Sequence, residues 1–157
     1  MYSKMENELI KEVLASSKTI AMVGVSSIKS EDKSNLKRRP SIIVMQYLQE
    51  FGYKVIPVNP FAIGNKINGE DPVANLEDVT VPVDIVNVFR PSEETPLIAK
   101  KAIKIGAKVL WLQFGIQNEE TKKLAEAANI ICVENKCIKQ EYQKLFQKMN
   151  TVFPVLQ

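Results

Sequence analysis

No histidine occurs anywhere in this chain of 157 residues. Any mechanism within it that needs an imidazole is thereby excluded: a Ser–His–Asp or Cys–His nucleophile, a histidine-held zinc, a phosphohistidine. Cysteine is nearly absent too, with only Cys132 and Cys137. Two thiols and no secretory segment read as reduced residues rather than a disulfide framework. The first 18 residues alternate charged and apolar side chains without an unbroken hydrophobic core. No window approaches the ~20 apolar residues of a membrane span. A cytoplasmic location without a membrane partner is expected. Excess charge is lacking as well, since 21 Lys+Arg stand against 18 Asp+Glu for a formal net charge of +3. That is too little for a general nucleic-acid binder.

What is present fits one globular domain. Hydrophobic residues make up 45% and charged residues 25% of the chain, and a domain of this length buries roughly 70% of its unfolded surface without needing a metal or a disulfide. We expect a single domain over 1–157, with an N-terminal helix over 4–16, a core over about 18–149 and a short apolar tail over 150–157. TIAMVGV (19–25), YKVIPV (53–58), DIVNVF (84–89), KVLWL (108–112) and residues 130–133 are short, β-branched, mostly apolar runs that predict buried strands. Between them, Val44, Tyr47, Leu48 and Phe51 follow helical spacing after Pro40 and Ser41, and Gly52 ends that run. Ser92 is positioned to cap a second helix striped by Ile98, Ala102 and Ile105, and Asn118 to cap a third. Ile138, Tyr142, Leu145, Phe146 and Met149 make a terminal amphipathic helix. Strand alternating with helix predicts an α/β fold around a mostly parallel sheet covered on both faces. The segment 61–75 reads as loop with room for one short edge strand.

Open parallel sheets bind ligands beyond the carboxyl ends of their strands. The loops to inspect therefore follow Val25, Val58, Phe89, Leu112 and Val133. The chain has three arginines, Arg38, Arg39 and Arg90, and all three are expected in loops on that edge. A guanidinium fork suits phosphate better than a lysine point charge; solvated surface arginines are the alternative. The loop 26–39 carries five basic residues against two acidic ones, so the charge of the whole chain equals that of this loop. A basic loop at a strand–turn–helix junction suits a pyrophosphate or ribose phosphate, and a solubilising flap is the competing reading. The nicotinamide dinucleotide fingerprint is not met. Gly24 stands alone, Ser26 and Lys29 occupy the places of the second and third glycines, and Asn59 stands where an acidic residue would take the ribose hydroxyls.

TIAMVGVS, PSIIVMQYLQEFGYKVIPVNP, VDIVNVFRPSEETPLIAKKAIKIGAKVLWLQFGI and the closing CIKQEY together resemble the small stand-alone coenzyme A-binding proteins, which are similar to the N-terminal domain of the succinyl-coenzyme A synthetase α subunit. The resemblance covers roughly residues 15–146. It implies a Rossmann-like three-layer fold with sheet order 3-2-1-4-5-6, whose third strand would be the weak segment around 67–73. It implies a coenzyme lying across the strand ends. Gly24, Val25, Ser26 and Ser27 would line the first turn, Val58, Asn59 and Pro60 the second, Phe89 and Arg90 the fourth, and Leu112, Gln113 and Gly115 the fifth. Ser41 matches the serine that begins the first helix and would donate to a phosphate. The loop 28–39 is longer and more basic than usual, so its contacts do not transfer by position, and Tyr142 stands where many relatives have a histidine.

The expected function is non-catalytic binding of coenzyme A or an acyl-CoA at the C-terminal edge of the sheet. Ligase activity by this chain alone is rejected, because the synthetase needs a phosphorylated histidine and a second domain. The alternatives are a Rossmann-type enzyme acting on a nucleotide-containing ligand through Cys137, whose thiol lies beside Lys136, or a regulatory subunit. A homo-oligomer and a partner subunit are both compatible with the apolar N-terminal helix and tail.

Overall fold

The computed structural model describes residues 4–25 and 40–147. The basic loop 26–39 and residues 148–157, the tail included, lie outside the described residues, and with them Ser26, Ser27, Arg38, Arg39 and Met149 of the expected terminal helix. The chain runs α1 (Lys4–Ser16), β1 (Thr19–Val23), α2 (Pro40–Glu50), β2 (Lys54–Val58), β3 (Ile85–Val88), α3 (Thr95–Lys104), β4 (Val109–Leu112), α4 (Glu119–Ala127), β5 (Ile131–Val133) and α5 (Ile138–Phe146).

The five strands form one all-parallel sheet in the order β2-β1-β3-β4-β5. The expected third strand has shrunk to one parallel bridge, Val73 against Val58 on the outer edge of β2. Asn59 N and Val73 N bond across that bridge to Val73 O and Pro57 O. With Gly64, Gly69 and Pro72 in the preceding segment, nothing longer forms there. Counting that bridge as a strand position gives the expected order 3-2-1-4-5-6.

Period-two alternation divides the core between two faces. Ile20, Met22, Ile85, Val109 and Trp111 pack under α1, α2 and α5. Ala21, Val86, Val88, Leu110 and Leu112 pack under α3 and α4. Ser92 differs from expectation. It opens a 3-10 turn, Ser92–Glu94, and α3 begins only at Thr95. Its backbone oxygen accepts from Thr95 Oγ1 and its hydroxyl oxygen accepts from Gln117 N, so it ties two loops together instead of capping. Asn118 caps α4 as expected, accepting from Thr121 N at 3.0 Å.

Two polar residues stand out in this frame. Asp84 Oδ2 accepts from the backbone N–H of Lys18 at 2.8 Å and of Thr19 at 3.0 Å, and Oδ1 faces Lys108 Nζ at 3.5 Å. Asp84 thus fastens the α1–β1 junction to the entry of β3. Burial pushes its carboxyl upward in pKa, but those two N–H groups and Lys108 outweigh burial and hold it below the usual aspartate value. Asn87 lies in mid-β3 between Met22 and Trp111 on the neighbouring strands. It is 0% exposed, and neither its Oδ1 nor its Nδ2 has a hydrogen-bond partner.

Both make predictions. A carboxylate with a depressed folded-state pKa stabilises above its unfolded pKa and loses that contribution as pH falls through the folded value. Asp84→Asn should therefore lose about 1–2 kcal/mol at pH 7 and flatten the acid limb of stability against pH, read by urea unfolding between pH 2 and 7. An unchanged acid limb would remove Asp84 from that role. Replacing an orphaned buried amide by an apolar side chain relieves its desolvation, so Asn87→Val should raise the urea midpoint by the equivalent of about 1–2 kcal/mol.

Candidate functional site

Every parallel strand delivers its carboxyl end to the same edge, and there the described residues enclose a cavity of about 580 Å³. That is within the roughly 300–1,000 Å³ of small-molecule sites. The ends of β1 and β2 supply its floor through Val23, Gly24, Val25 and Val58. The turn after β2 (Asn59–Phe61) and residues 74–76 form one wall, and Arg90 with the first turns of α3 the other.

Gly24 makes the β1 end work. Its φ of +96° is a backbone conformation open chiefly to glycine. A Cβ there would stand 2.8 Å from Arg90 Cδ and 3.1 Å from the Phe89 carbonyl oxygen. The aliphatic stem of Arg90 therefore lies flat across the glycine. At its far end the guanidinium is engaged by Glu94, with Nε donating to Oε1 at 3.0 Å and Nη2 to Oε2 at 2.9 Å. The fork-to-fork hydrogen bonding holds Glu94 below the usual carboxylate range and raises Arg90 further. Farther along the same wall Lys101 is also paired, its Nζ 3.6 Å from Glu77 Oε1.

Asn59 has a structural assignment. Its Nδ2 donates to Val25 O at 2.7 Å and its Oδ1 accepts from Phe61 N at 2.8 Å. One side chain thus links the end of β1 to the loop after β2, and both ends of its amide are engaged where a ribose-binding acid was the comparison. The same loop presents Phe61, 86% exposed, at the mouth of the cavity, opposite α3 and its 61% exposed Leu97.

Of the residues singled out in the sequence, the cavity brings together Gly24, Val25, Val58, Asn59, Pro60 and Arg90. Ser41, Phe89, Leu112, Gln113 and Gly115 do not line it. Leu112 is buried under α3 and α4, and Phe89 packs with the α1–α2–α5 side. Gln113 is buried, and its Oε1 accepts from Ile138 N at 3.0 Å, serving the first turn of α5. Gly115 N donates to Asn135 Oδ1 at 2.7 Å, tying the loop after β4 to the loop after β5. Ser41 is buried in the first turn of α2. Sequence reasoning missed Phe61, Asn75, Leu76, Glu94, Leu97 and Lys101. Ile98 already stood in the predicted apolar stripe; its neighbours on the exposed flank of α3 carried no signal of a wall.

Comparison with known proteins agrees with this architecture. The CoA binding domain family profile matches residues 18–143. Protein YneT of Bacillus subtilis (strain 168) is 38% identical over 130 residues, which is 83% of this chain and 89% of that protein. A solved structure from Thermus thermophilus is 36% identical with a TM-score of 0.79, covering 89% of this chain and 98% of that one. Acetyl-coenzyme A synthetase 1 of Ca. Korarchaeum cryptofilum aligns over 75% of this chain but only 26% of its own, at 23% identity and a TM-score of 0.59, a likeness of fold alone. With the profile spanning most of its length, the chain belongs to the CoA-binding domain family.

Proposed function

We propose that this chain binds coenzyme A or an acyl-CoA without transforming it, across the C-terminal edge of its sheet. The observation that carries this reading is the 580 Å³ cavity at the ends of β1 and β2, whose apolar walls, Val58, Leu76, Ile98 and the exposed Phe61 face, suit a flat base and its sugar. Phosphates of a ligand so seated leave the cavity past Gly24 and Arg90. In sequence, β1 and Gly24 are followed by the segment 26–39, which carries a surplus of three positive charges. The cavity's volume and wall chemistry fit the base and sugar of that ligand.

The catalytic alternative through Cys137 finds less support. Cys137 is a free, half-buried thiol at the start of α5, packed against the core on the α1–α2–α5 side, and it does not line the cavity. The other thiol, Cys132, is pushed up to about 11 by burial, so it is a poor nucleophile at neutral pH. We therefore read the protein as a binder in a cytoplasmic setting, its ligand a small nucleotide and not a nucleic acid or a membrane. Any homo-oligomer or partner subunit would add to that role.

Calorimetric titration with coenzyme A, ADP and NAD tests the reading. Coenzyme A should bind in the micromolar range and dephospho-coenzyme A about tenfold or more weaker, from the loss of a charge-assisted contact. No heat from coenzyme A below millimolar concentration would sink the proposal. Gly24→Ala should weaken coenzyme A binding at least severalfold and reduce stability by about 1–2 kcal/mol, because it strains the turn and lifts the Arg90 stem. An alanine variant with both properties unchanged would contradict the role given to that turn.

A further inference from the structure

We propose that Glu94 is a built-in competitor for the anionic group of the ligand: it occupies the fork of Arg90 in the free protein and sets the discrimination between charged and uncharged ligands. The inference rests on the coenzyme A reading above and adds to it a residue that selects among ligands.

Three observations carry it. First, the bidentate geometry at 3.0 and 2.9 Å is the one an arginine makes with a phosphate, so the carboxylate stands where two phosphate oxygens would be accepted. Second, the two partners differ in freedom. The stem of Arg90 is held against Gly24, where a Cβ would come within 2.8 Å of Cδ. Both side chains are nearly half exposed, and Glu94 ends a 3-10 turn; the difference is the Arg90 stem crossing Gly24, which keeps the guanidinium in place when the Glu94 carboxylate turns out to solvent. Third, the charges on the cavity wall are balanced. The lining carries two cations, Arg90 and Lys101, and two carboxylates, Glu93 and Glu94; Arg90 pairs with Glu94, and Lys101 Nζ lies 3.6 Å from Glu77 Oε1. A neutral ligand can enter without disturbing any of these pairs. An anionic one gains Arg90 only by displacing Glu94, so every ligand using that fork gives up the value of the ion pair, and ligands that do not use it give up nothing.

A double-mutant cycle reads this directly. Coenzyme A and the uncharged pantetheine would be titrated into the wild type, Glu94→Gln, Arg90→Gln and the double variant, with Glu93→Gln as the neighbouring-charge control. All the substituted side chains are exposed, and thermal melts would verify folding. Glu94→Gln should tighten coenzyme A about two- to fivefold, the value of a well-formed exposed ion pair, and leave pantetheine unchanged. With Arg90→Gln in place, the same substitution should have no effect, and Glu93→Gln should give less than Glu94→Gln in the wild type. Equal tightening with and without Arg90 would reduce the effect to bulk charge and overturn the proposal; so would unchanged or weaker coenzyme A binding in Glu94→Gln. Should the wild type bind no coenzyme A, the functional reading fails separately. Inorganic pyrophosphate then probes Glu94 alone: the Arg90 Nε–H resonance should shift at lower pyrophosphate concentration in Glu94→Gln than in the wild type, and identical titration curves would refute the competitor.

Discussion

Five strands of three to five residues, most of them apolar on both sides, can only be buried if helices cover the two faces of their sheet. That requirement organises the molecule. Successive strands run parallel through crossovers that leave α1, α2 and α5 on one face and α3 and α4 on the other, and every strand ends at the same edge. The cavity is a consequence of this burial. It opens where β1 and β2 release their chains into loops, and its depth comes from the rise of α3 behind the sheet. A sheet with one wet face would impose no such edge.

On that edge the small side of the chemistry matters as much as the charged side. Gly24 lets an arginine stem cross the end of β1 at contact distance, and Asn59 uses both ends of one amide to fix the first turn against the second loop. These arrangements preorganise a wall before any ligand arrives, which lowers the ordering cost of binding. Gln113 and Asn135 do comparable work at the other end of the sheet, holding the start of α5 and the loop after β4. Position at the strand ends is therefore shared by residues that can meet a ligand and residues that hold loops together. Asn87, buried without partners amid the central strand, is the one side chain of the sheet whose chemistry contradicts its surroundings.

Much of the architecture was legible in order along the chain. Apolar runs such as KVLWL and DIVNVF mark strands because they are too short for a helix and are apolar on both faces, and Gly52 and Asn118 mark helix ends through local backbone chemistry. The reduced third strand was legible only as an ambiguity, since one bridge at Val73 leaves no periodic pattern. Ser92 misled because a serine followed by two glutamates matches a helix start, while Pro96 and the bond from Thr95 to the Ser92 carbonyl delay the helix to Thr95.

The sequence by itself determined the fold class, the sheet edge at which the cavity opens, and six residues of its floor and rim. Those follow from periodicity and chain order, which act over a few neighbours at a time. Only the tertiary structure decided that Leu112 and Gln113 belong to the core, that Asn59 is a tie, that Phe61 stands at the mouth, and that Arg90 is already held by Glu94. Each of those depends on which side chains meet across the sheet, or on rotamers along a turn, and such meetings are set by packing in three dimensions. An arginine in a strand-end loop is a candidate in the sequence; what already occupies its fork is a property of the folded chain.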